Sequence, residues 1–181
     1  MNKKLSTRMI AEAGIMMALA IVLSLIKLFE MPQGGSVTAG SMIPILIFAL
    51  RWGVGPGMLV GGVYGIMQIV LGGYVFVPIQ AVIDYPLAFA MLGFAGFMKK
   101  YFNDIKTVGD YIKIGLITFI AIFMRFICHL LSGVIFFSEY AGDKNPWLYS
   151  AGYNGSFLAV ECAICIVLLC ALAKPISKIK K

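Results

Sequence analysis

The stretch YIKIGLITFIAIFMRFICHLLSGVIFF, residues 111–137, decides the class of fold. It exceeds the roughly 20 apolar residues that an α-helix needs to cross a bilayer. Yet it carries Arg125 and His129 deep inside it. Ionisable side chains at membrane depth are costly, and they face a partner, a cavity or a ligand rather than lipid. Their i, i+4 spacing puts both on one helical face. The stretch therefore predicts a spanning helix with something polar beside it.

Outward from this segment, further apolar runs predict helices at about Met9–Leu28, Ser41–Leu50, Gly55–Leu71, Pro78–Met98 and Ser150–Ala173. Pro32 with Gly34 and Gly35, the pair Gly72-Gly73, and polar segments at 99–110 and 138–149 punctuate them. Of 181 residues, 61% are hydrophobic and only 13% charged, and the mean hydropathy is +0.94. A soluble domain carries about twice that charged fraction. The expected fold is all-α and integral to the membrane: a single domain over residues 1–181 with six transmembrane helices. The opening basic residues Lys3, Lys4 and Arg8 resemble a signal peptide, but the run after them is too long and lacks a small-residue cleavage site, so it is expected to be retained.

The net charge of +7 reports topology. Twelve Lys and Arg residues fall on the side holding both termini, including Lys3, Lys4, Arg51, Lys99, Lys180 and Lys181, against Lys27 and Lys144 opposite. Basic residues favour the cytoplasm, so both termini are expected inside. No basic patch with interleaved aromatics points to nucleic acid. Cys162 and Cys165 form a C-x-x-C without a second ligand pair, which reads as buried small hydrophobes and no metal site.

With that topology, Asp84, His129 and Asn154 fall at one depth in the outer half of three different helices, counted at about 1.5 Å per residue. Tyr74, Tyr85, Phe137, Trp147, Tyr149 and Tyr153 lie near the same level. A carboxylate, an imidazole, an amide and aromatic faces can hold a flat, nitrogen-rich cation. Any one of these polar residues could merely bond a neighbouring helix; three at one level point to a pocket open to the outside. Deeper, Arg125 and Glu161 stand at matching depth on consecutive antiparallel helices and are expected to form an ion pair. No activated nucleophile, phosphate-cradling loop or metal-ligand cluster is visible, so no catalytic residue and no cofactor are assigned. Gly57, Gly61 and Gly65 mark a close-packing face, and Gly14 with Ala18 marks another on the first helix.

The segments EAGIMMALAIVLSLI, IPILIFALRWGVGPGMLVGGVYGIM, AVIDYPLAF, RFICHLLSGVIFFSEYA and YSAGYNG resemble the thiamine-specific substrate-binding (S) component of energy-coupling-factor (ECF) vitamin transporters. The resemblance covers nearly the whole chain. It implies a multi-pass protein of the bacterial cell membrane that captures thiamine with high affinity, with a lid in the loop after the first helix. It implies as partners a transmembrane coupling subunit, docked at Gly14 and Ala18, and two cytoplasmic ATPase subunits. By the same resemblance Asp84, His129, Tyr149 and Asn154 take the pyrimidine, and Tyr74 and Gly133 lie near the thiazolium and hydroxyethyl end; Phe137 and, from its level alone, Tyr85 are expected to bind substrate with them. The family carboxylate is often Glu, one methylene longer than Asp84, and Phe137 stands where a relative stacks a Trp. An S component for another vitamin and a small intramembrane enzyme using His129 and Asp84 are the alternatives.

Overall fold

The computed structural model describes residues 6–32, 34–102 and 105–179. Lys3, Lys4, Lys180 and Lys181 of the charge count lie outside them, as does Asp104 of the polar stretch. Among the described residues the longer helical segments are α1 (Thr7–Leu25), α2 (Ile43–Trp52), α3 (Val54–Val70), α4 (Pro78–Phe102), α5 (Val108–Phe136) and α6 (Pro146–Ser177), with a 3-10 turn at Ser138–Ala141 between the last two. Of these, α1, α4, α5 and α6 are long and apolar enough to cross a membrane, while α2 and α3 are shorter.

The segment after α1 departs from an all-helical reading. Lys27–Glu30 (β1) and Ser36–Thr38 (β2) pair antiparallel as a hairpin, with Phe29 opposite Val37. The helix stops at Leu25 rather than Leu28 because Leu28 and Phe29 belong to the hairpin ladder's strand. Gly34 and Gly35 turn the chain at φ +86° and +83°, a region that favours glycine. At the other end, α6 starts four residues before the expected Ser150. Asn145 accepts hydrogen bonds from the backbone N–H of Trp147 and Leu148, and Pro146 occupies the first helical turn, where its missing N–H costs nothing.

The glycine face of α3 packs as its spacing predicts. A Cβ on Gly61 would lie 2.3 Å from the Phe89 carbonyl oxygen, and one on Gly65 would lie 2.5 Å from Tyr85 backbone atoms. Only hydrogen fits there, so α3 and α4 meet backbone to backbone. Within α4, Pro86 has no N–H to give, and the helix widens to a π-turn over Ile83–Leu87, with the Ala88 N–H reaching back to Ile83 O. Asp84 and Tyr85 ride on that turn.

Arg51 ties the opposite end of the bundle together. Its side chain is 4% exposed. Nε and Nη2 donate to the Glu12 carboxylate on α1, and Nη1 donates to the carbonyls of Ile176 (3.2 Å) and Ile179 (3.1 Å) at the end of α6. One guanidinium thus neutralises a carboxylate and satisfies carbonyls that a helix C-terminus leaves without partners.

Candidate functional site

A cavity of about 210 Å³ lies between α3, α4, α5 and α6, with the hairpin across it. It is lined by Tyr74, Asp84, Tyr85, His129, Gly133, Phe137, Tyr149 and Asn154, and deeper by Arg125 and Glu161. Helices α4, α5 and α6 thus bring together the side chains that a count of helical depth places at one level. Trp147 is not among the lining residues and is 52% exposed. Gly14 and Ala18 lie elsewhere, on an exposed face of α1 with Ile15, Leu19 and Val22.

Asp84 is the hub of the polar network. Its Oδ1 lies 3.0 Å from His129 Nδ1, and its Oδ2 accepts from Gln80 Nε2 and Ser132 Oγ, both at 2.7 Å. Arg125 Nε donates to His129 Nε2 at 3.2 Å. A guanidinium can only donate, so Nε2 must be the acceptor and Nδ1 must carry the proton toward Asp84. Arg125 therefore fixes a neutral imidazole in one tautomer. Asn154 Nδ2 donates to His129 O and Ser150 O, tying α6 to α5. Gly133 is small for a reason: a Cβ there would fall 2.1 Å from Ser150 Oγ.

Aromatic rings form the wall toward the mouth. Phe137 lies 6.1 Å from Tyr74 and 5.7 Å from Phe76 between ring centroids. Tyr149 stacks near Tyr153 at 6.2 Å, and Tyr85 OH donates to Tyr74 O. Counted at their ordinary charges, the lining carboxylates Glu30, Asp84 and Glu161 outnumber Lys27 and Arg125 by one, and His129 is neutral. The cavity thus offers a monocation one compensating negative charge and several π faces.

The expected Arg125–Glu161 ion pair is not formed, although both residues line the cavity. Arg125 instead donates from Nη1 to Met42 Sδ and lies with its guanidinium carbon 4.0 Å over the Phe89 ring centroid. Glu161 Oε1 accepts from both the backbone N–H and the hydroxyl of Thr38 on β2, and its Oε2 has no partner. Matching depth on two helices could not reveal this, because the competing donor comes from a hairpin 123 residues away in sequence.

Sequence reasoning missed Gln80, Ser132, Ser150 and Thr38. Gln80 and Ser132 were findable, since they lie one helical turn from Asp84 and His129. Thr38 had no local signal. The intramembrane-enzyme alternative needs His129 and Asp84 in contact, which they are at 3.0 Å, and a bound acyl or lipid substrate; catalysis there would also need a nucleophile against the imidazole. Ser132 bonds Asp84 instead, and His129 has both ring nitrogens occupied. The arrangement holds a molecule; it does not activate a nucleophile.

Comparison with known proteins bears on what is held. The family described as Thiamine transporter protein matches residues 10–181. A relative named Thiamine transporter ThiT from Bacillus subtilis (strain 168) is 34% identical over 180 residues, covering 95% of this chain and 93% of the relative. One of the same name from Lacticaseibacillus paracasei is 32% identical over 175 residues, covering 88% and 84%. A solved structure of ThiT from Listeria monocytogenes superposes with a TM-score of 0.82 at 27% identity, over 96% of each chain.

Proposed function

The chain belongs to the thiamine transporter protein family, and on that premise we propose that it is the thiamine-binding S component of an ECF-type importer. It is a multi-pass protein of the cell membrane. The observation that carries the reading is the cavity itself: aromatic-walled, with one net negative charge and a carboxylate hub. Thiamine is a flat monocation with an aminopyrimidine at one end. In this reading Asp84, His129, Tyr149 and Asn154 face the pyrimidine, and Tyr74, Tyr85, Gly133 and Phe137 enclose the thiazolium. The hairpin is the lid.

All six helices cross the membrane as one domain, both termini are cytoplasmic, and the cavity opens outward. The basic residues at the Arg51 end support that orientation, since positive charge stays inside. Transport needs an energised partner: a transmembrane coupling subunit driven by two ATPases. Gly14 and Ala18 are its docking face. A Cβ on Gly14 would meet nothing within 4 Å and Ala18 is exposed beside it, so this pair does not serve packing inside the chain. Small residues on an open face allow close approach of another helix, and packing is what joins helices in lipid.

One experiment tests both halves. The purified chain is titrated with thiamine by calorimetry, and co-purification with the coupling subunit is measured alongside. Ala18→Trp should block assembly and leave thiamine affinity within about twofold, because the substitution is remote from the cavity. A wild-type chain that binds no thiamine refutes the substrate. Loss of thiamine binding in Ala18→Trp refutes the docking assignment.

A further inference from the structure

Of the three carboxylates that line the cavity, Glu30 is exposed and paired with Lys27 on the hairpin, and the inner two, Asp84 and Glu161, are not equivalent. Asp84 already accepts three hydrogen bonds from Gln80, His129 and Ser132. Glu161 is 2% exposed, and Thr38 holds its Oε1 from two sides. That double grip fixes the plane of the carboxylate and leaves Oε2 buried without a donor. A buried acceptor left unmade costs free energy that a ligand donor can recover. Arg125 does not supply the donor: its Nε and Nη1 turn to His129 and Met42, and it forms no ion pair with Glu161.

Resting on the thiamine-binding reading above, we propose that Glu161 is a further ligand-binding residue: its Oε2 accepts a hydrogen bond from the amino group of the bound cation, while its Oε1 holds the hairpin through Thr38. One carboxylate then joins ligand recognition to the position of the lid. The hairpin has two more attachments to α6, Tyr153 OH donating to Gly34 O at 2.8 Å and Phe157 packed under Gly35. Specificity follows from the chemistry. A ligand with an N–H donor at that end completes the carboxylate, and one without it leaves the acceptor orphaned.

The test is a double-mutant cycle between protein and ligand. Thiamine and an analogue with hydrogen in place of the pyrimidine amino group are titrated by calorimetry into the full chain, with wild type, Glu161→Gln and Thr38→Val. Glutamine must keep its oxygen toward the two Thr38 donors, which turns its NH₂ toward the ligand's NH₂. Glu161→Gln should therefore weaken thiamine roughly 10-fold or more, the scale of a hydrogen bond to a charged group, and change the analogue far less. Thr38→Val removes one of the two donors that fix the Glu161 carboxylate and loosens the hairpin as well, so it should weaken both compounds, with a smaller difference between them than Glu161→Gln produces. Equal losses for both compounds in Glu161→Gln, or unchanged thiamine affinity, would overturn the proposal. If Glu161→Gln does not fold, Glu161→Asp, which withdraws Oε2 by one methylene, poses the same comparison. A wild-type chain that binds neither compound would overturn the functional reading itself.

Discussion

Asp84→Asn keeps the size of the side chain and removes its charge, and the geometry around it leaves the new amide no comfortable orientation. If the NH₂ takes the place of Oδ1, it faces the Nδ1–H of His129. The imidazole cannot change tautomer without turning its Nε2–H against Arg125 Nε. If the NH₂ takes the place of Oδ2, it faces Gln80 Nε2. Gln80 cannot flip cheaply, because its Oε1 accepts from the Phe76 N–H at 2.9 Å. Either way one buried donor is left unpaired, costing about 1–3 kcal/mol, and the remaining bonds fall from charge-assisted to neutral strength at about 1 kcal/mol each. The sum is about 3 kcal/mol, and the cation loses a compensating charge as well. That sum is lost from the free and the bound protein alike, so it should appear as a lower melting temperature in detergent, while the missing charge, the difference between a charge-assisted and a neutral contact, should weaken thiamine by roughly 10-fold in calorimetry. Asp84→Glu, which retains the charge, should lose much less. Wild-type affinity and melting in Asp84→Asn would refute the hub.

Arg51→Met strands the half-buried Glu12 carboxylate and two carbonyls at the end of α6, so it should lower stability by about 1–3 kcal/mol while leaving thiamine affinity nearly unchanged; adding Glu12→Leu should recover part of the loss in thermal melting. Gly65→Ala places a Cβ 2.5 Å from the Tyr85 backbone at the π-turn, which should cost about 1–3 kcal/mol of overpacking and reduce thiamine affinity, whereas Gly55→Ala meets nothing within 4 Å and should do neither. Gly133→Ala drives its methyl into Ser150 Oγ at 2.1 Å and should weaken thiamine roughly 10-fold or more by the same overpacking scale; pairing it with Ser150→Gly should restore part of the affinity in a binding titration.

The sequence by itself determined the all-α membrane class and which polar residues come to line one cavity. Hydrophobic length and 3.6-residue periodicity are local properties, and a bilayer converts position along a helix into depth. The glycine face of α3 was legible for the same reason, since residues four apart share a face whatever they pack against. The boundaries at Asn145 and Leu25 were not read correctly, because a side-chain cap and a strand ladder compete there with apolar continuity. Only the tertiary structure decided which groups at one depth become partners. Arg125 and Glu161 match in depth, yet Arg125 goes to His129, Met42 and Phe89, and Glu161 goes to Thr38. Depth fixes one coordinate of a side chain. The rotation of each helix and the path of the hairpin fix the others, and hydrogen bonds form only where all of them agree.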